Sequence, residues 1–464
     1  MFSEATFAGE NFESAADTVK EVRDSGCQTV EIAVTTTLSQ TAFRSTSEVQ
    51  TEGIGSSAEA PAYDERKLAE FLQRISPPVI AELDKAAKSK AFTNYQLGRN
   101  ESQDEVNQLY RLQSNHMPDL PNIQVSCLSW SCTGNVVAIG FASPGHEGWC
   151  VHQSAVHFYN ISKHKLDVSK PDRVIDVNSC VSALAMHPYE PSVVALGTQF
   201  GEVQIWSTDK DEYEGSFQNS LHHKNRVTQI AWITLGSQLH LITSSLDGYL
   251  FSFKVIPTLR AVTLVERYLP NSLDSVFAPG ITTFAFSRLP GIFVAALEGG
   301  ELLHCSTYPA CDARPRSATT IRQPVLKSLG KELGEVTCIE FSPYIDHLFI
   351  TIHVEDKITI RSLNKGDPVR EIYTDFTMVG AHWSPAQGNV VIGWGGSSHL
   401  GVYHFKSAQR MAHICPEGER PSSPHIICTA FNHKSPCLIA IGGENACVFV
   451  WEIPQYFQTP VDLI

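Results

Sequence analysis

The chain lacks any run of about 18 apolar residues, so no helix in it is expected to span a membrane. Its first residues, Met1 to Phe12, have no basic stretch leading into an apolar core, which argues against a secretory leader and for an intracellular protein. A basic excess is also missing. Against 49 acidic side chains stand 35 lysines and arginines, a net charge of -14. Without a basic face to displace counterions, sequence-independent nucleic-acid binding is excluded, as is docking on anionic lipid. The 12 cysteines contain no Cys-x-x-Cys pair, so a zinc ribbon is not expected. With no leader, Cys127, Cys338, Cys428 and Cys447, each inside an apolar run, read as buried small hydrophobes in a reducing compartment. Sequons at Asn100–Ser102 and Asn160–Ser162 are then chance matches.

What is present is an ordinary globular composition, 42% apolar and 18% charged. The charge is uneven. Residues 1–62 hold ten acidic groups against Lys20, Arg23 and Arg44, a balance of -7, which leaves -7 for the other 402 residues.

A unit recurs seven times along the C-terminal three quarters. Each copy opens with an apolar residue, a second three on and an aromatic or Met five on. A short turn, an apolar run of four to six residues, a Gly- or acid-containing turn and an alternating run follow. The first copy reads Val125, Leu128, Trp130, then Val136 to Phe141, then Ala155 to Ile161. The second reads Val181, Leu184, Met186, then Val193 to Thr198, then Glu202 to Trp206. The landmarks fall at Trp130, Met186, Trp232, Phe286, Phe341, Trp383 and Phe431, with spacings of 56, 46, 54, 55, 42 and 48.

These intervals are near or above the roughly 40–45 residues of a WD40 blade. The expected fold is therefore all-β, a seven-bladed WD40-type β-propeller from about residue 120 to 454. The apolar runs are read as the inner strands and the alternating runs as strands with one face more exposed. Only Trp206 and Trp451 occupy the tryptophan position, and Ser207 and Glu452 follow them, so the WD dipeptide is missing, as is its Gly-His partner. A propeller must also lock its ends. Because 13 residues follow Trp451, the outer strand of the last blade is expected from Val106 to Leu112.

Ahead of the ring, residues 1–62 are too poor in large apolar groups to bury a core and read as a disordered acidic arm. Two segments in it centre on Gln-Thr among β-branched neighbours: Cys27, Gln28 and Thr29, then Val49, Gln50 and Thr51. Such segments suit strand addition to the sheet edge of a partner, and two copies suit a dimeric partner bound with avidity. Residues 63–112 change character. Leu68, Phe71, Leu72 and Ile75, then Val79, Ile80 and Leu83, recur at helical spacing behind Asp64 to Lys67. Ser76, Pro77 and Pro78 interrupt the pattern, which predicts two short amphipathic helices or one sharp bend. A 30-residue segment has no core for this face, and docking on a partner is favoured over folding back on the propeller assigned to 113–464.

In this order of parts the chain resembles the intermediate chains of dynein-2, the intraflagellar-transport dynein, and in particular the shorter WD-repeat type. Ser25 to Thr29, Val49 to Glu52, Tyr63 to Arg74, Val79 to Leu83 with Ala91 and Phe92, and Val125 to Trp130 carry the resemblance. It implies a non-catalytic scaffold without cofactor or metal, acting in retrograde intraflagellar transport and cilium assembly. The implied partners are the dynein-2 heavy chain, strand-addition and roadblock-type light chains, and a second, different WD-repeat intermediate chain. The implied locations are the cytoplasm, cytoskeleton, ciliary base, basal body and axoneme. The two Gln-Thr segments would take strand-addition light chains, and the helical residues a roadblock-type chain. Neither segment has the full Lys-x-Thr-Gln-Thr form: Cys27 and Val49 stand at the first threonine. The alternative is a WD-repeat adaptor or ubiquitin-ligase substrate receptor.

Catalytic readings find little support. The stretch from Gly393 to Ser398 lacks the lysine of a phosphate loop, and no Gly-x-Ser-x-Gly elbow occurs. His304, Cys305 and Cys311 lack the spacing of a zinc site. His222 and His223 are read as a solvated inter-blade loop, and Asp247, Glu298 and Asp356 as structural turn residues.

Overall fold

Seven small sheets follow one another around a ring in a computed structural model of the chain. It describes residues 64–88, 107–145, 150, 152–209, 216–217, 222–271, 278–308, 321–385, 388–414 and 424–453. The acidic arm, with both Gln-Thr segments, lies outside the described residues.

Each blade is an antiparallel meander in chain order. Blade 1 comprises Gln124–Trp130, Val136–Ala142, Ser154–Asn160 and Arg173–Val177. Blades 4, 5 and 6 repeat this four-strand plan from Ile281–Phe286, Val336–Phe341 and Met378–Trp383. Blade 2 has three strands from Val181–Met186, extended by a single bridge between Trp206 and Ser216. Blade 3, from Val227–Leu235, gains a short parallel fifth strand, Ile321–Arg322. Blade 7 contains Ile426–Phe431, Leu438–Gly443 and Val448–Glu452, and its outer strand is Asn107–Leu112 from before blade 1. The expected ring closure is there, with Leu112 opposite Val448 and Asn107 opposite Glu452.

The innermost strand differs from expectation. First strands of successive blades touch from blade 7 through blade 1 to blade 6, so the first strand, not the apolar second run, lies innermost. The second strands Val193–Thr198, Leu348–His353 and Val390–Gly395 are buried throughout. They have a strand on either side and a blade on either face. Half-buried positions such as those of Gln124–Trp130 mark the strand with a free edge toward the axis.

All seven first strands carry a bulge at one repeat position, leaving Ser126, Ser182, Thr228, Thr282, Thr337, Val379 and Ile427 without an opposite residue. A bulge twists its strand and re-aims a side chain. Here it turns hydroxyls toward the next blade. Ser182 donates to the Val227 carbonyl at 2.6 Å, Thr228 to Ile281 at 2.9 Å, Thr282 to Val336 at 2.7 Å and Thr337 to Val379 at 2.7 Å. At the other end of these strands the indoles reach the preceding blade. Trp130 donates to the Ala430 carbonyl at 2.9 Å, Trp232 to Ala185 at 3.2 Å and Trp383 to Glu340 at 3.2 Å. The landmark position thus holds blades together, and apolar clusters between blades supply the bulk of the burial.

The other unit, Met1–Tyr95, has one helix among its described residues, Glu65–Lys88, with Pro77 and Pro78 in its interior. The sequence predicts two helices or one sharp bend there, and the structure has one helix running through both prolines. Proline has a φ already suited to a helix, so two adjacent prolines remove two N–H groups from one region without reversing the chain direction.

Candidate partner-binding surfaces

The helix begins at Asp64, whose carboxylate accepts from the Arg66 N–H at 3.1 Å and the Lys67 N–H at 3.4 Å, a side-chain N-cap. At about 100° per residue, Leu68, Phe71, Leu72, Ile75, Val79 and Leu83 fall within roughly a third of the circumference, with Ile80 about 60° beyond it. All seven are exposed, from 37% at Ile75 to 64% at Leu83. The structure brings every one of the predicted helical residues onto one element and leaves their apolar surface uncovered. Contiguous exposed apolar surface of this kind marks an interaction site. Ion pairs Lys67–Asp64 and Lys85–Glu82 are solvated and add little.

On the ring, a depression of about 370 Å³ opens where the innermost strands of blades 5, 6, 7 and 1 end, lined by Trp130, Glu340, His382, Trp383, Phe431 and His433 among others. Its polar groups are committed to joining blades. His382 of blade 6 donates from Nδ1 to the Glu340 carboxylate of blade 5, and from Nε2 to the Thr429 carbonyl of blade 7 at 3.2 Å. Donation from both nitrogens requires the imidazolium. Burial pushes the His382 pKa down, but the Glu340 charge and these bonds more than offset it and hold it above 6.5. The other Glu340 oxygen accepts from the Trp383 N–H at 3.3 Å. His433 is held below its ordinary value by burial and by the charge of His382.

This arrangement has a sign. A histidine raised on folding contributes stability that is complete below its unfolded value of 6.5 and is lost as pH rises through the folded value. His382→Gln is therefore expected to destabilise the ring at about pH 6 and to cost progressively less toward about pH 9, read as urea midpoints. A cost that stays constant with pH would rule out the charged form.

His222 and His223, expected in a solvated loop, do not behave alike. The His223 side chain is fully buried, with Nδ1 3.1 Å from Asp247 Oδ2 and Nε2 2.9 Å from Thr243 Oγ1, and its ring stacks on Phe251 at 4.2 Å. Asp247 also accepts the N–H groups of Lys224 and Tyr249. Burial raises the Asp247 carboxyl, but these bonds more than offset it and leave it below its ordinary value. Blade 7 places His425 and Glu444 in the same relation, 3.3 Å apart. Two blades thus retain a lead-in histidine paired to a turn acid, without the preceding glycine. The signal lay in the pairing of a histidine before a blade with an acid after its second strand. Glu298 takes the Gly280 N–H at 2.9 Å and Asp356 the Thr377 hydroxyl at 2.9 Å, structural roles as expected.

The glycine stretch from Gly393 serves packing, since a Cβ on Gly393 would lie 2.6 Å from the Met378 methyl. His304 and Cys305 are successive strand residues on opposite faces, and Cys311 lies outside the described residues. No helix among the described residues is long and apolar enough to cross a membrane.

No protein-family model matches the chain. Cytoplasmic dynein 2 intermediate chain 2 of Homo sapiens is 28% identical over 417 residues, covering 85% of this chain and 77% of that protein. The protein of the same name from Mus musculus is 26% identical over 455 residues, covering 93% of this chain and 84% of its own length. Cytoplasmic dynein 1 intermediate chain of Drosophila melanogaster is 21% identical over 349 residues, 72% of this chain and 49% of that protein. With a seven-bladed ring preceded by an amphipathic helix, the chain is similar over most of its length to proteins named cytoplasmic dynein 2 intermediate chain 2.

Proposed function

We propose that this chain is the non-catalytic intermediate-chain scaffold that links a dynein-2 heavy chain to light chains for retrograde intraflagellar transport and cilium assembly. The observation that carries the reading is the uncovered apolar stripe from Leu68 to Leu83 on a chain whose relatives are dynein intermediate chains. In this reading the ring grips the heavy chain, and the stripe takes a roadblock-type light chain. The segments at Cys27–Thr29 and Val49–Thr51 take strand-addition light chains, and a second WD-repeat intermediate chain completes a heterodimer bridged by them. Its place is the cytoplasm and the cilium, from basal body to axoneme.

The test is affinity capture from ciliated cells with the whole chain and with a chain lacking residues 1–92. That cut spares the closing strand Asn107–Leu112, so the ring remains intact. The whole chain is expected to bring down heavy and light chains, and the shortened chain heavy chain without light chains. Capture of neither, or light chains retained by the shortened form, would sink the proposal. Ubiquitin-ligase components in their place would favour the adaptor reading.

A further inference from the structure

Three thiophilic groups that no zinc spacing announced come together between blades 1 and 2. Cys150 and His152 lie in the connection from the second to the third strand of blade 1, and Cys180 immediately precedes the first strand of blade 2. Cys150 Sγ is 3.8 Å from His152 Nδ1, Cys180 Sγ is 4.0 Å from the same nitrogen, and all three atoms lie within 4.8 Å of one another. Two thiolates and an imidazole around a tetrahedral zinc stand about 3.8 Å apart sulfur to sulfur and about 3.6 Å sulfur to nitrogen. The two sulfur-to-nitrogen distances exceed these values by about 0.2–0.4 Å, and the sulfurs lie within 4.8 Å of each other, so side-chain adjustment of up to about 1 Å closes the site. The cysteines are free thiols.

Backbone N–H groups point at both sulfurs. The Cys180 N–H donates to Cys150 Sγ at 3.3 Å, and the Ser143 N–H donates to Cys180 Sγ at 3.4 Å. Backbone donors of this kind orient metal-bound sulfurs and stabilise their negative charge. Both cysteines are buried in the blade 1 cluster with Val125 and Phe141, at 7% and 1% exposure. His152 is only half-buried, which leaves an entry path.

We infer that Cys150, His152 and Cys180 form a zinc site with three protein ligands, clamping the blade 1 connection to the entry of blade 2. Two cysteines and one histidine suit a soft to borderline ion rather than magnesium or calcium. Binding releases the two thiol protons. The fourth position is left to water or to a donor from a bound protein. The site depends on tertiary structure, because Cys180 is separated from Cys150 by two strands of blade 1.

The experiment uses the full-length chain, purified with reductant, and the metal alone as probe. Elemental analysis and titration against a chromophoric chelator are expected to give about one zinc per chain. Cobalt(II) is expected to show sulfur-to-metal charge transfer and the strong visible bands of a tetrahedral site. Cys150→Ser with Cys180→Ser should reduce binding to about a tenth of the sites or less, whereas Cys127→Ser with Cys338→Ser should leave it unchanged. Should the double serine variant fail to fold, His152→Ala is the second arm, with weakening of about tenfold or more expected. Zinc content below about a tenth per chain, binding unaffected by His152→Ala, or a Cys150–Cys180 disulfide in the reductant-free protein would each overturn the site.

Discussion

Replacing Leu112 by alanine is expected to cost the ring about 2–5 kcal/mol, whereas the same change at Leu109 costs about 0.5 kcal/mol or less. The two leucines sit three residues apart on the strand that closes blade 7. Leu112 is 1% exposed and joins the cluster of Val125, Trp130 and Val450, while Leu109 is 41% exposed. The difference separates strand closure from a general sensitivity of the N-terminal region. Removing residues 107–112 is expected to do more. It would bare the edge of Val448–Glu452, whose Phe449 ring now lies under the Arg111 guanidinium at 5.6 Å. An unpaired apolar edge is a template for aggregation, so the shortened protein should be largely insoluble. Thermal unfolding of the point variants and sedimentation of the deletion are the measurements. Equal costs at Leu109 and Leu112, or a soluble ring without the strand, would mean that the ring closes by other contacts.

A comparably large effect is expected on binding. On the proposed scaffold reading, Phe71→Glu with Leu72→Glu should weaken light-chain capture at least about a hundredfold, since burying two such side chains contributes about 3 kcal/mol or more. Phe71 and Leu72 are 46% and 50% exposed, and glutamate is a good helix former. Circular dichroism should therefore be unchanged, and so should heavy-chain capture. Glu70→Lys, about 160° from the centre of the stripe by helical spacing, is the control and should have little effect. Undiminished light-chain capture by the double variant would remove the stripe from the interface, whatever the arm segments do.

The ring was legible because strand alternation and turn residues repeat, and seven recurrences of the same spacing leave little room for another all-β arrangement. Closure by a strand near Val106 to Leu112 was expected, and Asn107–Leu112 pairs with Val448–Glu452. The stripe was likewise written in the 3.6-residue period. The break at Pro77 and Pro78 was not. Local preference disfavours proline inside a helix, yet the structure carries the helix through both prolines.

Sequence alone therefore determined the fold class, the number of blades, the closing strand and the apolar face of the helix, all of which depend on periodicity and short spacing. Tertiary structure alone decided which strand lies innermost and that His223 is buried on Asp247. It also decided that His382 lies between Glu340 and Thr429, and that Cys180 meets Cys150 and His152. The physical reason is common to these. Each joins residues from different turns or different blades, and their separation along the chain is set by loop lengths that carry no period. Only closing the ring brings such groups within hydrogen-bonding or ligand distance.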